Sequence, residues 1–213
     1  MKKLIAIAII AVSAMTASAQ MMTSRTLLKR TNPATWYVHA GMSINSLTGL
    51  DDDDKDNGYS LGSKAGFEVD FGFNKAIGRS GAYWGMELGI GQRGGKVKYY
   101  NRYDDEEYES SISSWAVKYT PINFGYKYSF TDKIKADIHL GGFVSYDFSQ
   151  KAKDEDGDEY DPFNNNLDAG IICGLGVWYS KFNLDFSYQR GFIEYLNSDI
   201  NSSAFIIRVG YAF

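Results

Sequence analysis

Cysteine is almost missing from this sequence: Cys173 is the single one in 213 residues. That excludes an intrachain disulfide framework and any zinc site built on paired cysteines. Proline is nearly as scarce, with three, so little interrupts extended backbone. Positive charge does not dominate either. The formal net charge is −4 and no basic patch appears along the chain, which leaves nucleic acid without support as a partner. Beyond Gln20 there is no apolar run near the ~20 residues of a spanning helix. If the remaining chain enters a membrane, it does so as strands.

The first residues read as an export signal. Lys2 and Lys3 precede an apolar run from Leu4 to Val12, and Ala17-Ser18-Ala19 offers small residues for cleavage. We expect a secretory signal peptide over 1–19, a periplasmic N-terminal arm over 20–34, and one barrel domain over 35–213. No cysteine follows the cleavage point, so a lipid anchor is not expected.

Glycine (22), tyrosine (16) and phenylalanine (13) are abundant. Aromatic residues favour strands, and a period of two recurs throughout the mature sequence. At the end of the chain, Phe205, Ile207, Val209, Tyr211 and Phe213 alternate with Ala204, Ile206, Arg208, Gly210 and Ala212. Trp36, Val38, Ala40, Met42 and Ile44 similarly oppose Tyr37, His39, Gly41, Ser43 and Asn45. Eight such segments can be traced. Two change phase, and we expect a bulge at Thr120-Pro121 and a shift at Gly94-Gly95 ahead of Val97 and Tyr99. Connections alternate in length: 48–63, 101–112 and 150–166 are long, whereas 78–82, 131–133 and 180–181 are short. The long ones carry sixteen of the 26 acids, and the short ones contain Arg79, Lys133 and Lys181.

These features predict an all-β, eight-stranded antiparallel up-and-down transmembrane β-barrel, with long extracellular loops, short periplasmic turns and both ends in the periplasm. The rival is a soluble barrel with its apolar face inward. Eight inward faces of Phe, Trp, Tyr and Leu would overfill an interior just wide enough for side chains, so the bulky face is assigned to lipid. Aromatics gather at the expected periplasmic ends as one interfacial girdle. The signal ending Ala17-Ser18-Ala19-Gln20, the strand pattern, the Tyr119-x-Pro121-Ile122 stretch and the terminal Tyr211-Ala212-Phe213 resemble the outer membrane protein β-barrel domain family, whose members are often labelled porin-family or PorT-like. The resemblance implies a cell outer membrane location and recognition of the terminal aromatic by the barrel-assembly machinery. It fixes no activity.

Chemistry is expected in the interior. Glu68, Asp70, Glu87, Asp137, Asp147, Asp168 and Asp185 face inward with Lys118, Lys127, Lys135, Arg208, His39 and His139. The polar network of Glu68, Asp70, Glu87, Lys127, Lys135, Asp137, His139, Asp185 and Arg208 reads as paired charges closing a narrow lumen, rather than as an ion path. No catalytic residues and no cofactor are assigned, because no Ser/His/acid spacing recurs locally. The run containing Asp154, Asp156 and Asp158 suits Ca²⁺ by composition but lacks the EF-hand spacing. Diffuse divalent-cation binding by the acidic loops, bridging them to lipopolysaccharide, fits better. Four readings follow: a non-enzymatic structural or interaction barrel displaying acidic loops, a narrow porin-like channel for small solutes or ions, a lipid-modifying enzyme of the outer membrane using His39 or His139, and a secretion-system accessory barrel.

Overall fold

A computed structural model of the chain describes residues 34–49, 57–78, 80–101, 106–153, 159–160, 165–194 and 200–213. The expected signal peptide, nearly all of the arm, and the acidic stretches 51–56 and 154–158 lie outside them.

The alternating segments all form strands. They are β1 (Thr35–Thr48), β2 (Tyr59–Ala76), β3 (Ala82–Asn101), β4 (Glu106–Ser129), β5 (Ile134–Lys153), β6 (Glu159–Tyr160), β7 (Leu167–Tyr179), β8 (Phe182–Gly191) and β9 (Asn201–Ala212). Eight make the barrel. The two-residue β6 only extends the end of β5, pairing Tyr160 with Ala152. Every neighbour pairing is antiparallel, and β1 pairs with β9 from Tyr37–Ala212 to Thr48–Asn201 while β4 pairs with β5, which closes the eight long strands into a cylinder. Short turns follow local chemistry. Ser180 takes a positive φ of 56° in the two-residue link between β7 and β8, and Gly78 and Gly81 supply positive φ between β2 and β3.

The bulky face points outward. Met42, Phe67, Leu88, Phe124, Leu140, Leu175 and Phe205 are all exposed on the wall, and Cys173 is exposed beside them. At the short-turn end Trp36 packs on Phe71 and Phe73, and Phe73 meets Trp84, with ring centroids 5.1–5.4 Å apart. A second aromatic band, absent from the sequence reading, lies toward the long-loop end, where Phe67 meets Trp115 and Tyr188 meets Phe205.

The Thr120-Pro121 bulge is present. Tyr119 pairs with Val144 and Ile122 with Gly142, so two residues of β4 face Phe143 alone. The shift expected at Gly94-Gly95 is not. β3 pairs with β4 without a break from Gln92–Trp115 to Asn101–Glu106, and the slip falls in β2, between Gly62 and Glu68. Gly94 absorbs the local bend with a φ of 138°, so the strand continues in phase and Val97 turns inward. There it packs with Leu61 against buried Leu47, Ile112, Ala152 and Ile200, an aliphatic cap at the long-loop end of the lumen. The long connections are also shorter than expected. Much of 101–112 is strand, because its Tyr, Ile and Ser residues continue the β3–β4 ladder. β2 to β5 run 18 to 24 residues against the ~9–11 a tilted strand needs to span, so one side of the barrel stands taller than the bilayer.

Candidate functional site

Arg208 faces the lumen because β9 sends Phe205, Ile207 and Val209 outward. Opposite it on β1 is Gly41, where an added Cβ would lie 2.8 Å from the Arg208 Cγ and 2.2 Å from the Ile207 carbonyl oxygen. The missing side chain lets the guanidinium cross the barrel. Nε and Nη2 donate to Asp185 Oδ1 on β8 at 3.0 and 2.7 Å, and Nη2 donates to Ser187 Oγ at 3.1 Å. Nη1 donates to Asp70 Oδ2 on β2 at 3.1 Å and to Glu87 Oε1 on β3 at 2.8 Å, and lies 3.5 Å from Glu68. Lys118 of β4 donates to both Glu68 oxygens at 3.0 and 3.2 Å and sits 3.5 Å from Asp70. Tyr37 donates to Glu87 Oε2 at 3.2 Å, and His39 Nδ1 lies 3.5 Å from the same oxygen. Arg208 is 2% exposed, so these charges are screened by each other and not by water.

Two further tiers flank this centre. Toward the short turns, Asp137 accepts from Tyr83 Oη at 2.7 Å and Trp178 Nε1 at 3.1 Å. Lys127 lies 4.0 Å from Asp137 and over the Trp178 ring at 4.0 Å, a cation–π contact. Toward the long loops, Arg93 donates to Ser145 at 2.6 Å, to Asp147 at 3.1 Å, and to Asp168 and Ser202. Asp168 also accepts from Ser202 at 2.8 Å.

Of the network residues named from sequence, Glu68, Asp70, Glu87, Asp185 and Arg208 meet at the centre, with His139 3.7 Å from Asp185. Asp137 and Lys127 form the lower tier. Lys135 is half-buried near its turn and, among the described residues, forms no ion pair. Asp154, Asp156 and Asp158 lie outside the described residues. Arg93, the anchor of the upper tier, was missed. Its odd position continues Glu87, Gly89 and Gly91 inward, a signal hidden by the shift expected at Gly94-Gly95. Phe143, Ile172, Ala204 and Ile206 add a buried apolar patch on the inner wall.

The fold also joins residues that no local spacing linked. Ser187 Oγ is 3.3 Å from His139 Nε2, and His139 Nδ1 is 3.7 Å from Asp185 and 3.9 Å from Asp137. Gly174 makes room, since a Cβ there would lie 2.6 Å from both His139 Nε2 and Ser187 Oγ. The composition is that of a hydrolytic triad, but the bonding is not. Ser187 donates to Asp185 at 2.5 Å, so its proton is directed to a carboxylate and away from the imidazole. It also accepts from Arg208 and is 1% exposed. Beside the central network, a cavity lined by Asn45, Glu68, Asp70, Arg93, Lys118 and Gln189 measures about 20 Å³, enough for roughly one water, whereas an open hollow of about 770 Å³ is bounded by His139, Gly174 and Ser187 together with the outward Phe124, Leu140, Leu175 and Phe205.

A sequence profile of the outer membrane protein β-barrel domain family matches residues 18–197. No curated protein matches the sequence. Several solved structures are similar. Ail, the attachment invasion locus protein of Yersinia pestis, in complex with the heparin analogue sucrose octasulfate, is 14% identical with a TM-score of 0.44, over 85% of this chain and 100% of that one. Neisserial surface protein A (NspA) is 13% identical with a TM-score of 0.45, again over 85% and 100%. The outer membrane enzyme PagL is 10% identical with a TM-score of 0.44, over 81% and 98%.

Proposed function

This chain belongs to the outer membrane protein β-barrel domain family and is a small outer-membrane β-barrel, and on that premise we propose that it is a non-conducting, non-enzymatic scaffold that presents acid-rich loops at the cell surface. The observation that carries the reading is the filled lumen. Seven inward carboxylates meet Arg93, Lys118, Lys127 and Arg208, the aliphatic cap sits above them, and the cavity between is about 20 Å³. Hydrated ions and solutes need a continuous water path, which a one-water void does not supply. The tall β2–β5 wall supports display, since it carries the β3–β4 hairpin clear of the bilayer on a rigid base. In this reading residues 1–19 direct export, and the loops take up divalent cations diffusely beside lipopolysaccharide.

The channel and the lipid-hydrolase readings remain the alternatives. Ser187 and His139 favour the second by composition, and the Ser187–Asp185 bond weighs against it. The experiment is conductance. The folded chain, verified by heat-dependent gel mobility, is inserted into a planar lipid bilayer and is expected to be silent. Stable, charge-selective steps that change when Asp185 is neutralised would refute the scaffold and make the lumen a pore.

A further inference from the structure

Two adjoining turns at the short-turn end carry lysines that meet no acid. Residues 130–133 link β4 to β5, and 180–181 link β7 to β8. Ser180 N donates to the Lys133 carbonyl at 2.7 Å, and Ala212 N of β9 donates to the Lys181 carbonyl at 2.8 Å, so both turns and the end of β9 make one stretch of rim. Lys133 and Lys181 are exposed on it, and Lys135, paired with Trp178, is half-buried beside them. Among the described residues none of these three lysines forms an ion pair. Asp132 is the one acidic side chain in either turn. The stretches outside the described residues that adjoin this end in sequence, 20–33 and 79, hold Arg25, Lys29, Arg30 and Arg79 and no acid, so nothing in them offsets the lysines.

We infer that Lys133 and Lys181 form a binding site for the phosphate of an anionic glycerophospholipid in the leaflet at the short-turn end. Their level selects that ligand. Phe130 and Ile134 flank the first turn, Tyr179 and Phe182 flank the second, and all four are exposed on the outer wall. The apolar wall therefore runs almost to the lysines, which stand just past it, at headgroup depth. Direction selects it too. Lys181 Nζ lies 5.7 Å from the centroid of the Tyr211 ring, and that ring packs on Phe182 at 5.3 Å. The ammonium is thus laid back along the lipid-facing surface, with its stem over apolar side chains, and not out into the space beyond the turns, where a soluble or cell-wall anion would lie. Three lysines against one aspartate favour an anionic headgroup over a zwitterionic one, whose own ammonium they repel. Lys135, set toward the mouth of the lumen, adds to the field without touching the lipid. The site needs only that this wall is embedded in a bilayer, and it is independent of whether the lumen conducts.

The test places the folded chain in vesicles of phosphatidylglycerol and phosphatidylcholine, with one of the two lipids brominated at a time, and reads quenching of tryptophan fluorescence. Trp36 is the reporter, because it is exposed and its carbonyl accepts from Phe213 N at 3.0 Å, just past the end of β9. Trp84→Phe/Trp115→Phe removes the other two tryptophans of the wall, and Trp178 is buried. This parent protein should prefer phosphatidylglycerol by about fivefold, one lysine's worth of attraction to a lipid surface. Lys133→Gln/Lys181→Gln should bring the preference below roughly twofold. Lys133→Arg/Lys181→Arg should keep it, which separates lost charge from a damaged fold. A preference below roughly twofold in the parent protein, or one that the glutamine variant keeps, would overturn the proposal. So would loss of the preference to soluble glycerol phosphate at matched ionic strength, which would make the turns a free-anion site. Retention on peptidoglycan sacculi through the same two lysines, with no lipid preference, would overturn it in favour of a cell-wall contact.

Discussion

Replacing Arg208 by Met removes the hub of the lumen while nearly keeping its volume. Five hydrogen bonds disappear, to Asp185 (two), Ser187, Asp70 and Glu87. Asp70 and Glu68 retain Lys118. Asp185 and Glu87 keep only hydroxyl partners and a nearby histidine ring. Breaking a buried pair by removing one partner costs about 3–5 kcal/mol, because it leaves uncompensated charge. We expect Arg208→Met to lower unfolding stability in lipid vesicles by that amount, measured by urea titration with tryptophan fluorescence and cross-checked by gel mobility. Neutralising the abandoned carboxylates, as Arg208→Met/Glu87→Gln/Asp185→Asn, should restore at least half of the loss, since a buried network is often replaceable by neutral groups of similar volume. A loss below about 1 kcal/mol in the single variant would refute the argument. A triple variant no better than the single would show that shape, and not charge, is what Arg208 contributes.

Other outcomes follow from the same geometry. Gly89→Ala would place a Cβ 1.9 Å from Asp70 Oδ1 and should cost about 1–3 kcal/mol by overpacking in the same urea assay. A neutral result there would mean that Asp70 is not held where the ladder puts it. Cys173→Arg sets a charge on the lipid-facing side of β7, opposite Leu140 and Tyr188, and should destabilise the vesicle-embedded barrel by about 2–4 kcal/mol. The same substitution should matter far less in detergent, where the charge can reach water, and an equal cost in both would count against this face meeting hydrocarbon.

The barrel was legible because a period of two survives almost unbroken from Trp36 to Phe213, and because loop length and charge sort to opposite ends. Pro121 cannot donate to a ladder, so the bulge beside it could be located. Gly94-Gly95 misled for a related reason. Adjacent glycines signal irregularity without saying whether the strand slips or only bends, and here the positive φ of Gly94 bends it in phase. The inward set followed from parity, but its pairing did not. Arg208 meets partners on β2, β3 and β8, and which residues share a height is decided by strand stagger, which local periodicity does not encode.

The stagger itself has a physical origin in the lumen. A one-residue slip of β9 against β8 would send Arg208 into lipid, where a charge near the midplane costs about 2–4 kcal/mol, and would turn Ile207 and Val209 toward the carboxylates. A slip of two residues keeps the faces but moves each inward side chain away from the glycine that makes room for it. Gly41 opposes Arg208, Gly89 accommodates Asp70, Gly125 accommodates Tyr83, and Gly174 accommodates His139, each at a distance a Cβ would forbid. Apolar outward faces distinguish neither slip by two nor the stagger it would change, since Phe, Leu, Ile and Val are interchangeable against lipid. The charge pairs and their matching glycines distinguish both. A polar lumen is costly to desolvate, and it is the part of this sequence able to specify one closed register for eight similar strands.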